Sequence, residues 1–295
     1  MPADPVTLSK TINGAHIAAR ILVSTAAGVA ALVQSGWVTP ALVSISFGKT
    51  LPIERYVRNQ KRAAEKAGIG FREVNLDPNV SREDVLKLVR EINVDPLSTG
   101  LILQRPVPPH LSVREIQCAV HPLKDVEGMN PDNMGSLMYN DVELGPCTAK
   151  AAVACLKSTS LGNRGTTLRG LECVVVGHSE IVGKPISFLL MNEGATVTTC
   201  HAMTKNLSFH TRMADAVFVA VGKAGLITGD YLKPGAAVID VGINPSKDGT
   251  GIVGDADMES CLPVVGWITP VPGGVGPVTT AMFAELLQLD VPACN

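Results

Sequence analysis

Short runs of apolar and β-branched residues alternate along the chain with stretches whose apolar positions recur every three or four residues. ALVSISF (41–47) is apolar almost throughout and predicts a buried strand. RYVRNQKRAAEKAG (55–68), rich in Arg, Lys, Ala and Glu and closed by Gly68, predicts a helix. FREVNL (71–76) predicts a second strand. SREDVLKLVREINVD (81–95) predicts a helix with Ser81 as N-cap and Glu83 and Asp84 facing the positive end of the dipole. GLILQ (100–104) predicts a third buried strand. Strand, helix, strand, helix, strand is the rhythm of a parallel α/β sheet.

A second unit begins near residue 150. CTAKAAVACLKSTS (147–160) predicts a helix leading into it. LECVVVG (171–177), ATVTTCH (195–201), AVFVAVG (216–222) and AAVIDVG (236–242) predict four short strands, and a last helix runs from Thr279 to about Leu289. This is the pattern of a nucleotide-binding α/β sheet. In VVVGHSEIVGKP (174–185), Gly177 ends a strand, Gly183 permits close backbone packing and Pro185 suits a first helical turn, so exposed amides could cradle a pyrophosphate. The loop departs from GxGxxG because Ser179 takes the second glycine position. The segment after the second strand, Cys200 to Lys205, has no acid for ribose hydroxyls, which leaves the choice of nucleotide open.

Composition narrows the classes. A length of 295 residues suggests two domains. The 46% hydrophobic and 18% charged residues exclude a disordered chain. A net charge of -2 and 4% aromatics argue against a nucleic-acid binder. Seven cysteines, an odd number without CxxC spacing, predict reduced core thiols rather than disulfides or a zinc site. His110, His121, His201 and His210 lack metal-ligand spacing, so no metal is expected. No secretory h-region is visible. The longest apolar stretches read as about ten residues, too short for a bilayer. The expectation is a cytoplasmic protein that binds no membrane.

Several segments together resemble the bifunctional methylenetetrahydrofolate dehydrogenase/cyclohydrolase (FolD) family. They are Tyr56-Val57 with its helix, GLILQRPVPPHL (100–111), HPLKDVEGMNPDNMG (121–135), PCTAK (146–150), VVVGHSEIVGKP, ATVTTCHAMT (195–204), AAVIDVGIN (236–244) and ITPVPGGVGPVTTAM (268–282). The resemblance implies a folate-binding catalytic domain over 1–148 plus 270–295, a Rossmann-type domain over 149–269, and a cleft between them. It implies hydride transfer from 5,10-methylenetetrahydrofolate to NADP, or in some members NAD, followed by hydrolysis of the methenyl product to 10-formyltetrahydrofolate. It also implies a homodimer. Carried onto this chain, the catalytic positions are Tyr56, Gln60, Gln104 and Asp125. Tyr56, Val107, Pro108, Asp125, Pro272, Gly273 and Gly276 would bind the folate. Thr148, Gly177, His178, Ser179, Val182, Ala202, Gly242, Ile243 and Thr279 would bind the nucleotide. Physical chemistry agrees with these roles. Tyr56 offers a stacking face, Asp125 can accept from pterin amino groups, and the stiff Pro/Gly loop lets backbone approach a flat ligand.

The chain departs from the family at places that matter. The acid/base lysine one turn after the tyrosine is Gln60, which cannot exchange a proton near neutral pH. Lys61 is turned about 100° away on a helix, and Arg62 holds its proton too tightly. Hydrolysis is therefore expected to be weak or lost while oxidation survives. Two other readings stay open: a fully bifunctional enzyme with another proton relay, and a catalytically silent paralogue that binds folate or nucleotide. Ile53 replaces a serine, Arg105 an apolar residue, Glu127 an aspartate and Met129 an aromatic. His178 replaces the arginine, and Ala202 the serine, that could hold a 2′-phosphate, which predicts relaxed or NAD-leaning preference.

Overall fold

In the computed structural model, which describes residues 10–162 and 168–288, the alternation resolves into two parallel sheets in two units. One unit comprises residues 19–147 and 280–288, and the other residues 10–18, 148–162 and 168–279. The chain thus passes between them three times, at 18/19, 147/148 and 279/280. Residues 10–18 group with the second unit because Ile12 N–H donates to Ile268 O at 2.8 Å and Gly14 N–H to Gly273 O at 3.0 Å. The return to the first unit falls at Thr280 rather than 270.

The first unit is built on β1 (Ala41–Phe47), flanked in parallel by β2 (Gly70–Leu76) and β3 (Gly100–Leu103). Ile45 lies opposite Val74 on one side and Leu103 on the other. Its helices are α1 (Gly14–Gln34, entered from the second unit), α2 (Leu51–Lys66), α3 (Arg82–Val94), α4 (Val113–Ala119) and α5 (Pro131–Met138). α2 starts a turn before its predicted start and ends as expected before Gly68, whose φ of 72° favours glycine. α3 is capped as its sequence indicates, Ser81 Oγ accepting from Asp84 N–H at 3.1 Å. Its Val85, Val89 and Ile92 form one buried stripe against Val43, Ile45, Leu101 and Leu103.

The second unit carries α6 (Cys147–Lys157), which begins at the boundary, then β4 (Glu172–Val176), α7 (Gly183–Asn192), β5 (Thr196–Cys200), α8 (Leu207–Thr211), β6 (Ala216–Val219), β7 (Ala237–Asp240) and a small antiparallel pair, β8 (Asn244–Pro245) and β9 (Ile252–Val253). α9 (Met258–Cys261), β10 (Trp267–Ile268) and α10 (Val275–Leu286) follow. The sheet order β10-β7-β6-β4-β5 places a switch point between β4 and β6, where connections leave in opposite directions and ligands bind at the strands' carboxyl ends.

Two expectations are corrected. α1 went unread because its small residues, with Arg20 and polar positions among them, break the apolar run, yet its 21 residues make a helix long and apolar enough to cross a membrane by length and composition. α10 begins a turn before Thr279, and its expected end at Leu289 lies outside the described residues, as do Cys294 and residues 1–9. The six described cysteines are free and all but Cys118 are buried. Burial pushes the Cys155, Cys173 and Cys261 thiols up to about 12, which makes them poor nucleophiles.

Candidate active site

Three of the sequence-predicted residues meet at the carboxyl end of β1 and β3. Gln104 follows β3 and is anchored by its own N–H on Ile45 O at 2.8 Å. Its buried side-chain Nε2 donates to Ser44 Oγ at 3.0 Å and to Gln60 Oε1 at 2.8 Å. Gln60 is on α2 and only 2% exposed. One helical turn earlier stands Tyr56, 39% exposed, its hydroxyl facing the Gln60 side chain. Burial, with the charge of Glu127 and then Cys147, raises the Tyr56 hydroxyl above its ordinary range, so it stays protonated. Gln60 Nε2 is a buried donor without a hydrogen-bond partner. Such a group is costly unless something else supplies an acceptor. Lys61 and Arg62 are exposed, and Ile53 is buried in the core.

Asp125 is placed beside this cluster, its backbone bridging to Leu101 of β3. Its carboxylate serves its own loop. Oδ1 accepts from Glu127 N–H at 3.2 Å; Oδ2 accepts from Asn130 N–H at 2.6 Å and Asn133 Nδ2 at 3.1 Å. Burial raises its titration against these bonds, which lower it. An acid that follows a lysine is by itself most simply a turn acid or cap, and the carboxylate takes that role here although the motif match favoured a pterin ligand. Sequence reasoning missed the neighbouring Lys124, buried and donating through Nζ to Ile92 O and Asp95 O at 2.8 Å each. Glu127 is half-buried. One carboxylate oxygen accepts from Leu103 N–H at 3.1 Å. Burial is the main cause that pushes its titration up to about 7, reinforced by Asp125 and opposed by the Leu103 bond and Arg105. Val107 packs on the hydrophobic core of this unit, and Pro108 is half-buried beside it.

The predicted nucleotide residues fall at the carboxyl ends of the second sheet. Gly177 follows β4 with φ of 113°, and its N–H donates to Cys200 O at 2.8 Å. A Cβ on Gly183 would collide with the Gly177 carbonyl, so helix α7 can start this close only on glycine. His178 and Ser179 are exposed on the turn, and Ser179 Oγ accepts from Val182 N–H at 3.2 Å. The His178 ring meets His201 edge-on, centroids 4.8 Å apart. His201 Nδ1 accepts from Met203 N–H at 3.1 Å, which leaves its Nε2 to carry the hydrogen. Ala202 is exposed beside it, and Ile243 is 68% exposed after β7. Gly242 N–H donates to Asp240 Oδ1 at 2.8 Å. Thr148 is half-buried in the first turn of α6.

Thr279 is not presented to a ligand. It is 5% exposed, and its hydroxyl donates to Val275 O at 3.2 Å within α10. Pro272 and Gly276 are exposed and Gly273 half-buried, on a loop closed by Gly274 N–H to Pro270 O at 2.8 Å. These three belong to the second unit, and the Tyr56 cluster belongs to the first. Met203, Val221 and Ile243 leave apolar side chains exposed after β5, β6 and β7, a surface suited to flat heterocycles. The residues present thus fit a dinucleotide.

A buried acid that the sequence reading passed over holds the turn after β6. Asp255 is fully buried and accepts from the N–H groups of Val221, Gly222 and Lys223 and from Asn244 Nδ2, at 2.6–3.0 Å. Asp240 is 3% exposed. Burial, with Asp255 nearby, raises it to about 6 despite three backbone bonds. A carboxyl raised on folding binds its proton more tightly when folded, so it favours folding at low pH. That contribution is lost as pH rises from about 4 through 6, by about 3 kcal/mol from the 3.8 to about 6 shift. Between pH 4.5 and 7 Asp240 should therefore account for a fall of about 2 kcal/mol in stability, and denaturant titrations at the two pH values should show the fall reduced by that amount in Asp240→Asn.

By topology and loop, the second unit is a dinucleotide-binding α/β domain, and the first is a separate α/β unit with its own buried polar cluster. The model "Tetrahydrofolate dehydrogenase/cyclohydrolase, catalytic domain" matches residues 12–127, and its "NAD(P)-binding domain" partner matches residues 146–290. The chain is 52% identical over 278 residues to "Bifunctional protein FolD 2" of Mesorhizobium japonicum, covering 93% of this chain and 89% of that one. It is 52% identical over 277 residues to the Rhodobacter capsulatus "Bifunctional protein FolD", covering 93% and 90%. Among solved structures it is similar to the FolD methylenetetrahydrofolate dehydrogenase/cyclohydrolase of Campylobacter jejuni (TM-score 0.88, 35% identity, covering 94% and 96%). It is also similar to that of Trypanosoma brucei complexed with NADP and an inhibitor (TM-score 0.86, 34% identity, covering 94% and 95%). The chain belongs to the tetrahydrofolate dehydrogenase/cyclohydrolase family, with a catalytic and an NAD(P)-binding domain.

Proposed function

We propose that this protein oxidises 5,10-methylenetetrahydrofolate to the methenyl compound and hydrolyses that product only weakly. The observation that carries the reading is Gln60, buried on α2 between Tyr56 and Gln104 at the position where the family resemblance implies an acid/base lysine. An amide positions a ligand but neither gives nor takes a proton near neutral pH. Oxidation does not need such a group, because loss of hydride leaves a cation delocalised over two nitrogens and the protein's task is alignment.

Bound NAD(P) supplies the hydride acceptor. Gly177 and Gly183 would hold its pyrophosphate at the start of α7, and the apolar residues after β5 to β7 would wall its rings. In the first unit the Tyr56 ring would stack on the folate and the partnerless Gln60 Nε2 would donate to one of its acceptors. Asp125 serves this site chiefly through the loop it organises. At the phosphate-recognition place the chain offers imidazoles, His178 and His201, in place of a guanidinium, which supports relaxed or NAD-leaning use.

The test is a continuous near-ultraviolet assay of methylenetetrahydrofolate oxidation with NADP and with NAD. Build-up of methenyl-folate, with comparable kcat/KM for the two nucleotides, is the expected result. Direct appearance of formyl-folate at the oxidation rate would refute weak hydrolysis. Absence of reduced cofactor with both nucleotides would refute the enzyme reading in favour of a silent binding paralogue.

A further inference from the structure

Against β3, the strand that leads into Gln104, stands a group that can move a proton. Glu127 is held on one carboxylate oxygen by Leu103 N–H at 3.1 Å, while the other makes no hydrogen bond among the described residues. Its own N–H is fixed on Asp125 Oδ1 at 3.2 Å, so the side chain springs from a loop locked by that carboxylate. Leu103 immediately precedes Gln104, whose amide holds Gln60. The Glu127 charge is felt by Tyr56, which faces Gln60. A carboxylate with one anchored and one unengaged oxygen, held on the residue that precedes Gln104 and acting by its charge on Tyr56, has the build of a general base.

We propose that Glu127 takes the proton from water when the methenyl bridge is hydrolysed in this protein, a proposal that rests on the folate reading above. Water oxygen bonds to the bridge carbon of the methenyl cation as one of its protons passes to the Glu127 carboxylate. This gives a neutral carbinolamine and a carboxylic acid. The bond from the bridge carbon to N5 then breaks, its electron pair going to N5. N5 receives the proton held by Glu127, the hydroxyl proton leaves to solvent, and the carbonyl of the N10-formyl group forms. The balance is methenyl cation plus water giving formyl product plus one proton, with no redox change.

The groups facing Glu127 are Asp125 from its own loop, Arg105 after β3 and Tyr56 from α2. Burial and Asp125 raise its titration and Arg105 and the Leu103 bond lower it, leaving it near 7, where base and acid forms both exist at working pH. Tyr56 itself is raised too far to act as the base.

The probe is 5,10-methenyltetrahydrofolate, its loss followed from pH 5.5 to 8.5 against buffer alone, with oxidation of methylenetetrahydrofolate assayed in parallel. The wild type should hydrolyse slowly but above buffer, with a rate rising to a plateau through a midpoint near 7. Glu127→Gln keeps an acceptor for Leu103 N–H; it should lower the hydrolysis-to-oxidation ratio about 10²-fold and abolish the midpoint. Glu127→Asp should retain a pH-dependent rate at reduced level. Adding Gln60→Lys to Glu127→Gln should return hydrolysis, showing that the variant is folded. A Glu127→Gln protein with the wild-type rate and pH profile, or a wild type no faster than buffer, would overturn the proposal while oxidation left the folate reading standing. Loss of oxidation in the wild type would overturn the folate reading itself.

Discussion

Replacing Gln60 by lysine is expected to raise methenyl-folate hydrolysis by about 10²–10⁴-fold, the range a positioned acid/base group supplies. The site is prepared for it. Residue 60 is 2% exposed, one turn from Tyr56, and in contact with a Gln104 side chain that can turn its amide to present oxygen to an ammonium. Desolvation there would pull a lysine downward toward neutral pH, where it can both give and take a proton. Gln60→Met is the matched control. It has similar length and no proton to exchange, and it leaves Gln104 Nε2 with Ser44 alone. It should not raise hydrolysis. If Gln60→Lys also fails to raise the rate while methylene-folate oxidation persists, the deficit lies in other departures of the pocket, such as Ile53 or Met129.

The same cluster shows what the chain reveals by itself and what it hides. Strands β1, β3, β4, β6 and β7 were legible because a buried parallel strand is a short apolar run, the partly exposed edge strands β2 and β5 because their places in the strand-helix alternation and their Phe, Val and Thr residues mark them, and α3 because Ser81, Glu83 and the Val85/Val89/Ile92 stripe each point the same way. α1 was illegible because alanines and glycines give it no contrast between faces, and β10 because two residues carry no period. The loss of lysine at position 60 was readable from spacing along one helix. The bond from Gln104 to Gln60 spans 44 residues, and no local pattern announces it. Thr279 was carried over from motif position alone, and its hydroxyl proves to be satisfied within its own helix. Asp240 and Asp255 went unread because backbone amides from separate loops make them structural, and such amides have no sequence of their own.

Asp125→Ala is expected to unfold the loop that carries Glu127, with a loss of about 2–4 kcal/mol in stability. Removing the carboxylate leaves Glu127 N–H, Asn130 N–H and Asn133 Nδ2 without that acceptor, and both asparagines are buried. Asn130 in turn caps α5, accepting from Asp132 N–H at 2.9 Å, and ties back to Val120 O at 2.8 Å, so the disturbance should spread into that helix. The raised titration of Asp125 shows that burying its charge works against the bonds it makes, which keeps the net loss below their sum. Hydrolysis and oxidation should then fall together, with a lower midpoint in urea. A different result separates the two roles of this residue. If Asp125→Ala kept the wild-type urea midpoint and only raised KM for the folate, the carboxylate would be a ligand for the pterin and not the organiser of its loop.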